Sequence, residues 1–364
     1  MIEIESLEEL DRAAARAGAT DGSMQGWQVQ GLDLTGHEDV LLRLDPRGAL
    51  FLGCTLTDAT TERLRQGGAL LFPAVPDVPF DPWRPHLYRP EELYDGLASG
   101  YDHTTDAVVY GWARGTHHHP GSLKDLLAQA LHDRSIDDAL EELTRGRRVV
   151  GVMGGHALTR DDPVYVDAAH LAHDLAASGL TVATGGGPGA MEAANLGARL
   201  AGHPASTLDR VLADIAAVPA YQPDITAWAR VAFESVHGLE DSGRSLGIPT
   251  WHYGHEPPNP FASVVAKYFR NAIREDVLLE VCRAGIVFLP GAAGTVQEIF
   301  QAACSNYYAP EPEVAPMLFV GREYWTTTLP AWPLVSALAA GRPLATRAQL
   351  LDDTLQVRRL LVQE

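Results

Sequence analysis

From Arg147 onward, strand-like apolar runs alternate with helix-like segments, and two of the strand-to-helix turns are rich in glycine. No other feature constrains the fold as much, because such alternation predicts a parallel sheet covered by helices on both faces. RRVVGVMGG reads as the first strand. A helix follows from about Pro163 to Ser178, with Asp162 as N-cap and proline at the first helical position. LTVATGG runs through GGPGAMEAANLGARLAG directly into a helix, and a mostly helical insertion covers about 206–240. SLGIPTWHYG is the third strand and FASVVAKYFRNAIREDVLLEVCR the next helix; AGIVFLPG is the fourth strand, GTVQEIFQAACSNYY its helix and APMLFVG the fifth strand. The expectation is therefore an α/β fold: a Rossmann-like parallel sheet over 147–364, preceded by an α+β accessory domain over 1–120 and a helical connector over 121–146. The first part shows no clear βα rhythm and no internal repeat. Its proline-rich, aromatic stretch FPAVPDVPFDPWRPHLYRPEELYDGL reads as an ordered surface loop rather than a flexible linker.

At 364 residues, 46% of them hydrophobic, the chain can build two domains with a sizeable core. Its three cysteines, Cys54, Cys282 and Cys304, are odd in number and far apart, so neither a disulfide framework nor a cysteine-rich zinc site is expected. A reducing, cytoplasmic location fits, as does the acidic N-terminus without a signal-like apolar stretch; no run of about 18 apolar residues predicts a membrane span. A formal net charge of −19 repels a phosphate backbone, so nucleic-acid binding is not expected. A small anion remains possible, because backbone N–H groups and a helix N-terminus bind anions whatever the net charge.

The first glycine-rich motif is Gly185-Gly186-Gly187-Pro188-Gly189-Ala190-Met191-Glu192. Glycines there let the backbone approach a ligand, and the helix start presents its N–H groups to a phosphate. Two other readings stand beside it: a turn needed only for packing, and a dinucleotide fingerprint. The latter is weakened because the turn follows the second strand of the unit and no acidic residue closes the next one. Pro290-Gly291-Ala292-Ala293-Gly294-Thr295-Val296-Gln297-Glu298 repeats the pattern at the fourth strand. Thr295 and Glu298 share a helix face, either as a capping box or as ligand contacts.

Taken in order, Gly154-Gly155-His156, GGGPGAMEAA, Glu256-Pro257-Pro258-Asn259-Pro260 and PGAAGTVQE resemble the Lonely Guy superfamily of phosphoribohydrolases. The similarity is greatest to its bacterial branch of pyrimidine/purine nucleotide 5'-monophosphate nucleosidases, and it covers about 147–325. It implies hydrolysis of the N-glycosidic bond of a nucleoside 5'-monophosphate, a homodimer or higher oligomer, and no cofactor or metal. It also implies substrate or phosphate contacts at Gly154, Gly155, Gly185, Gly186, Gly187, Gly189, Met191, Glu192, Asn259, Arg270, Pro290, Gly291, Gly294 and Thr295, with Glu298 and Arg274 as the catalytic pair. The family pattern is P-G-G-x-G-T-x-x-E, and Ala292 replaces its second glycine. Where the family carries an arginine on the preceding helix this chain has Glu275, with Arg274 one position earlier and Arg270 a turn away.

An oxocarbenium-like transition state needs negative charge near C1' and help for the departing base. Glu298, in the first turn of a helix, is expected to be ionised by the macrodipole and to act as nucleophile or electrostatic stabiliser. A nucleotide sensor that binds without cutting, and an oxidoreductase using the first turn, are the competing readings. His117-His118-His119 reads as a loop, not a metal site. His156 could touch substrate or cap a turn, and Trp251, His252 and Tyr253 could stack a base.

Overall fold

In the computed structural model, which describes residues 2–118, 122–252 and 256–362, the chain divides into two units. Unit one comprises Met1–Leu87 and Gly115–Leu140; unit two comprises Tyr88–Arg114 and Glu141–Glu364.

Unit one is built on four short strands, β1 (Ile2–Ile4), β2 (Trp27–Gln30), β3 (Leu50–Leu52) and β4 (Leu70–Phe72), in spatial order 1-2-3-4. All pairings are parallel. Helices Leu7–Gly18, Glu38–Leu41 and Asp58–Gln66 make the crossovers. This is a βα array with a repeating register, Ile4 against Val29, Val29 against Phe51 and Phe51 against Leu71, in place of the α+β arrangement without repeat expected here. Strands of three and four residues, unevenly spaced, are too short to show a period in sequence. Ile4, Leu10, Val29, Leu34, Phe51 and Leu64 are in its core.

Unit two holds a seven-stranded, all-parallel sheet in the order β11-β10-β9-β5-β6-β7-β8. The strands are β5 (Val149–Met153), β6 (Thr181–Thr184), β7 (Ser245–Gly247), β8 (Val264–Val265), β9 (Gly285–Phe288), β10 (Met317–Val320) and β11 (Ala348–Leu351). Every residue of β5, β6, β9 and β10 is buried, as a parallel sheet covered on both faces requires. The helix Pro163–Ala177 starts as its sequence predicts, with the Asp162 carboxylate accepting from the Val164 N–H at 2.8 Å and proline at N1. The insertion forms helices Ala205–Ile215 and Ile225–Ser235.

Two readings need correction. The helix expected to begin near Phe261 spans only Asn271–Val281. The apolar residues before it are buried on their own account, and Val264–Val265 joins the sheet against β7. The histidine tract begins inside a helix, Thr105–His118, while His119 and Tyr253 lie outside the described residues.

The sheet is doubly wound. From β5 the chain steps outward through β6, β7 and β8, then returns to the other side of β5 for β9, β10 and β11. The switch point lies between β5 and β9, where open α/β sheets bind ligands outside the carboxyl ends of their strands.

Candidate functional site

Three turns meet at the switch point. The Gly155 N–H donates to Pro290 O at 3.0 Å, and Gly155 O accepts from the Ala190 N–H at 3.1 Å. The end of β5 is thereby tied to the turn after β9 and to the helix after β6. Gly154 packs between Ala190 and Leu289, where a Cβ would come within 2.7 Å of the Ala190 Cβ. Both glycines thus serve the close approach of the three turns.

The Gly185–Gly189 turn is held rigidly. Gly186 and Gly189 have φ of +72° and +75°, which disfavours any residue with a Cβ. Asn259, buried, is the brace: its N–H donates to Gly186 O (2.8 Å), and its side-chain amide donates to Gly187 O (3.2 Å) and Asn195 Oδ1 (2.9 Å). Its Oδ1 accepts from the Phe261 and Ala262 amides, so the backbone N–H and both side-chain polar atoms of Asn259 are committed to protein. Met191 lies across the glycines, its Sδ 2.8 Å from where a Gly185 Cβ would stand.

Glu192 points away from the crevice. It forms a fully buried ion pair with Arg160, Nη2 to Oε1 at 2.6 Å and Nε to Oε1 at 2.9 Å. Burial pushes its carboxyl up, while Arg160 and the Gly189 N–H hold it down. Arg160 also donates to Val218 O and Trp228 O and stacks over the Trp228 ring at 4.6 Å.

The turn after β9 is different in kind. Helix Ala293–Tyr308 starts with Ala292 as N-cap and no side-chain cap. Thr295 and Glu298 therefore lie inside the helix and form no capping box. The first helix amide with a carbonyl partner is Val296, to Ala292 O at 3.0 Å. That leaves the N–H groups of Ala293, Gly294 and Thr295 without carbonyl partners among the described residues, ready for an anion. Ala292, Ala293 and Gly294 are exposed. The buried Thr295 hydroxyl faces Gly291, where a Cβ would fall 2.2 Å from its Oγ1, and Gly291 O is held by the Tyr324 hydroxyl at 2.8 Å. Ala292 has φ of −102°, outside the positive-φ region that demands glycine, so this departure from the family pattern is compatible with the backbone sign found here.

Glu298 and Arg274 come together here. Arg274 Nη1 is 4.0 Å from Glu298 Oε1, and both atoms lie within 4 Å of where a Cβ on Gly185 would stand, so the two motifs do share one crevice. Arg274 also pairs with Glu275 at 3.1 Å. Arg270 stands exposed at the N-cap of helix Asn271–Val281, one turn before Arg274.

Glu298 is buried, and its carboxyl is raised from 4.5 to about 8 by desolvation first and the Glu275 charge second, against a downward pull from Arg274. The ionised state expected from the helix dipole is therefore overturned: near neutrality Glu298 holds a proton. The helix starts at Ala293, which puts Glu298 beyond its first turn, where the macrodipole has fallen off, while burial still penalises the charge.

In sequence Glu275 is noted only as a departure from the family's arginine and is given no role. A signal exists: Asn271, Glu275, Leu278 and Cys282 follow helical spacing and are all buried, so a glutamate occupies an inward stripe. At the rim, His156 Nδ1 is 3.5 Å from Glu256 Oε1, both partly exposed. Trp251 is core: its indole N–H donates to Asp106 at 2.8 Å, and Asp106 also pairs with buried Lys267. Among the described residues no cluster of His, Cys, Asp and Glu could hold a metal, and no helix is long and apolar enough to cross a membrane.

A sequence profile of the SLOG cluster4 family matches residues 147–204, which contain β5, β6 and the first glycine turn but not the second. A search of curated proteins finds no match. Two solved structures share low similarity. One is the molybdenum cofactor binding protein from the phototrophic bacterium Rippkaea orientalis, 17% identical over 60% of this chain and 96% of that chain, with a TM-score of 0.37. The other is the Moco carrier protein from Chlamydomonas reinhardtii, 16% identical over 60% of this chain and 99% of that chain, with a TM-score of 0.35. At that level nothing about a ligand carries over from either.

Proposed function

We propose that this chain hydrolyses the N-glycosidic bond of a nucleoside 5'-monophosphate, releasing a free base and ribose 5-phosphate. One observation carries the reading: a buried, protonated glutamate and an arginine converge at the switch point beside unpartnered helix amides. The 5'-phosphate sits on the N–H groups of Ala293, Gly294 and Thr295 with the Thr295 hydroxyl. Glu298 is the proton donor. As the C1'–N bond breaks, its electron pair passes to the base nitrogen and the Glu298 proton transfers to the departing base. Water adds to the oxocarbenium carbon and returns a proton to the Glu298 carboxylate, which restores the resting state. Arg274 offsets negative charge on the leaving base or the phosphate. Self-association into a dimer or larger assembly and a cytoplasmic site of action belong to the same reading.

The test is incubation of the pure protein with AMP, GMP, CMP, UMP and IMP separately, with base and ribose 5-phosphate quantified by chromatography. Base release that falls at least about 10²-fold in Glu298→Gln, with an unchanged circular dichroism spectrum, is the expected result. Nucleotide binding without release in the wild-type protein would replace hydrolysis by sensing, a reading favoured by the partial neutralisation of Arg274 by Glu275.

A further inference from the structure

Glu275 and Glu298 are two buried carboxylates served by one guanidinium, and the guanidinium is not shared equally. Arg274 Nη1 is 3.1 Å from Glu275 and 4.0 Å from Glu298. All three side chains are at most about a tenth exposed, so water does little to screen the arrangement. Among the described residues Arg274 Nε and Glu275 Oε2 have no hydrogen-bond partner, although the Asn271 side chain bonds the Glu275 carboxyl. A cluster that leaves both a donor and an acceptor unmatched is not one arranged for stability alone.

The other groups around Glu298 do not alter this asymmetry. The Cys282 thiol, just beyond the same helix, is buried, donates to Leu278 O at 3.0 Å and stays protonated. Glu192, on the helix after the first glycine turn, is engaged by Arg160. His156 and Glu256 are paired with each other at the rim.

From this geometry we infer that Glu275 is a positioning residue for the reaction: by drawing Arg274 to itself it takes the negative charge of the pair and leaves the transferable proton on Glu298. Two carboxylates in one low-dielectric site cannot both ionise cheaply, and the cation selects the one it approaches more closely. Glu275 thereby decides which of the two is the acid. Its replacement by a neutral amide releases Arg274 toward Glu298, which then ionises and loses the proton that the departing base requires. The inference rests on the hydrolytic reading for its catalytic meaning, but the distribution of charge can be measured without turnover.

The experiment uses the full-length protein labelled with [5-¹³C]glutamate. The Glu298 carboxyl resonance is assigned by its loss in Glu298→Gln, and its titration is followed in wild type, Glu275→Gln, Glu275→Asp and Arg274→Gln. In wild type it should titrate near 8. Glu275→Gln should lower the proton affinity of Glu298 roughly tenfold or more, Glu275→Asp should restore most of it, and Arg274→Gln should raise it. The alkaline limb of the kcat profile for base release should move in the same directions. A Glu298 titration unchanged in Glu275→Gln overturns the inference; if that variant does not fold, an unchanged titration in Arg274→Gln does so instead. Wild-type protein that releases no base from any nucleotide sinks the hydrolytic reading alone, because the titrations still decide the place of the proton.

Discussion

The two glycine turns look alike in sequence and are used differently. Each follows a strand of the same parallel sheet, opens a helix and carries a glutamate in its motif. At Gly185–Gly189 that glutamate, Glu192, lies in a fully buried pair with Arg160, and Asn259 occupies the carbonyls of the turn. At Pro290–Thr295 the N–H groups of Ala293, Gly294 and Thr295 have no carbonyl partners among the described residues, and the glutamate, Glu298, has a guanidinium at 4.0 Å and the Glu275 charge nearby. The first turn is a wall whose polar groups are spent on holding its shape. The second presents unspent groups to the space that the first one encloses. A motif therefore shows where backbone can approach a ligand; whether its side chains reach that ligand depends on what the rest of the fold offers them.

The largest effect expected from this difference is on stability at the first turn. Glu192→Ala leaves Arg160 charged, buried and unpaired, which should cost about 3–5 kcal/mol. Chemical denaturation followed by circular dichroism measures it. The molecules that remain folded should still bind nucleotide, because Glu192 does not face the crevice. Unchanged stability together with lost binding would reverse the roles given to the two turns.

At the second turn the corresponding change should stabilise. Glu298 holds its proton to about 8 in the folded chain, whereas in the unfolded chain it releases it near 4.5. Between those values the folded state binds more protons than the unfolded state, so this group's contribution to stability is complete below about 4.5 and is lost as the pH rises toward 8. Glu298→Gln removes the dependence. Its stability relative to wild type should rise between pH 5 and pH 7 by up to roughly 3 kcal/mol, two pH units at about 1.36 kcal/mol each. The raised carboxyl of Glu192 acts in the same sense and cancels in the difference, whereas Glu275 is coupled to Glu298 through charge and Arg274, so its own titration shifts with the substitution and belongs to the measured difference. A difference that is flat with pH, in parallel denaturation series, would place the proton elsewhere.

Much of this architecture was legible in the chain. The runs VVGVM, TVAT, GIVF and MLFV read as strands because they are apolar throughout, which burial on both faces demands. Asp162 and Pro163 mark their helix start because capping is a local interaction. Less legible were features that depend on distant partners. Val264–Val265 becomes a strand only because β7 lies beside it, and β1 to β4 become an array only through their mutual register. The charge state of Glu298 is the sharpest case. The motif suggests a first-turn carboxylate, but the helix starts at Ala293, so Glu298 lies beyond the reach of the dipole, and burial together with Glu275 on another helix sets its charge.

The smallest effect concerns Ala292, the one departure from glycine in the second motif. A glycine requirement there would arise from a positive φ or from backbone that a Cβ would obstruct. The residue has φ of −102° and is exposed, so neither condition applies. Ala292→Gly should therefore restore nothing. Its effect on stability should stay under about 1 kcal/mol, because the greater freedom glycine gives the unfolded chain is opposed by its preference over alanine at an N-cap. KM for the nucleotide should stay within about twofold, the range of a surface substitution that makes no new contact. Steady-state kinetics on Ala292→Gly beside wild type decides the matter. A gain of tenfold or more in kcat/KM would mean that the alanine methyl stands where the phosphate must approach, and that the free amides of the second turn are obstructed in the native chain.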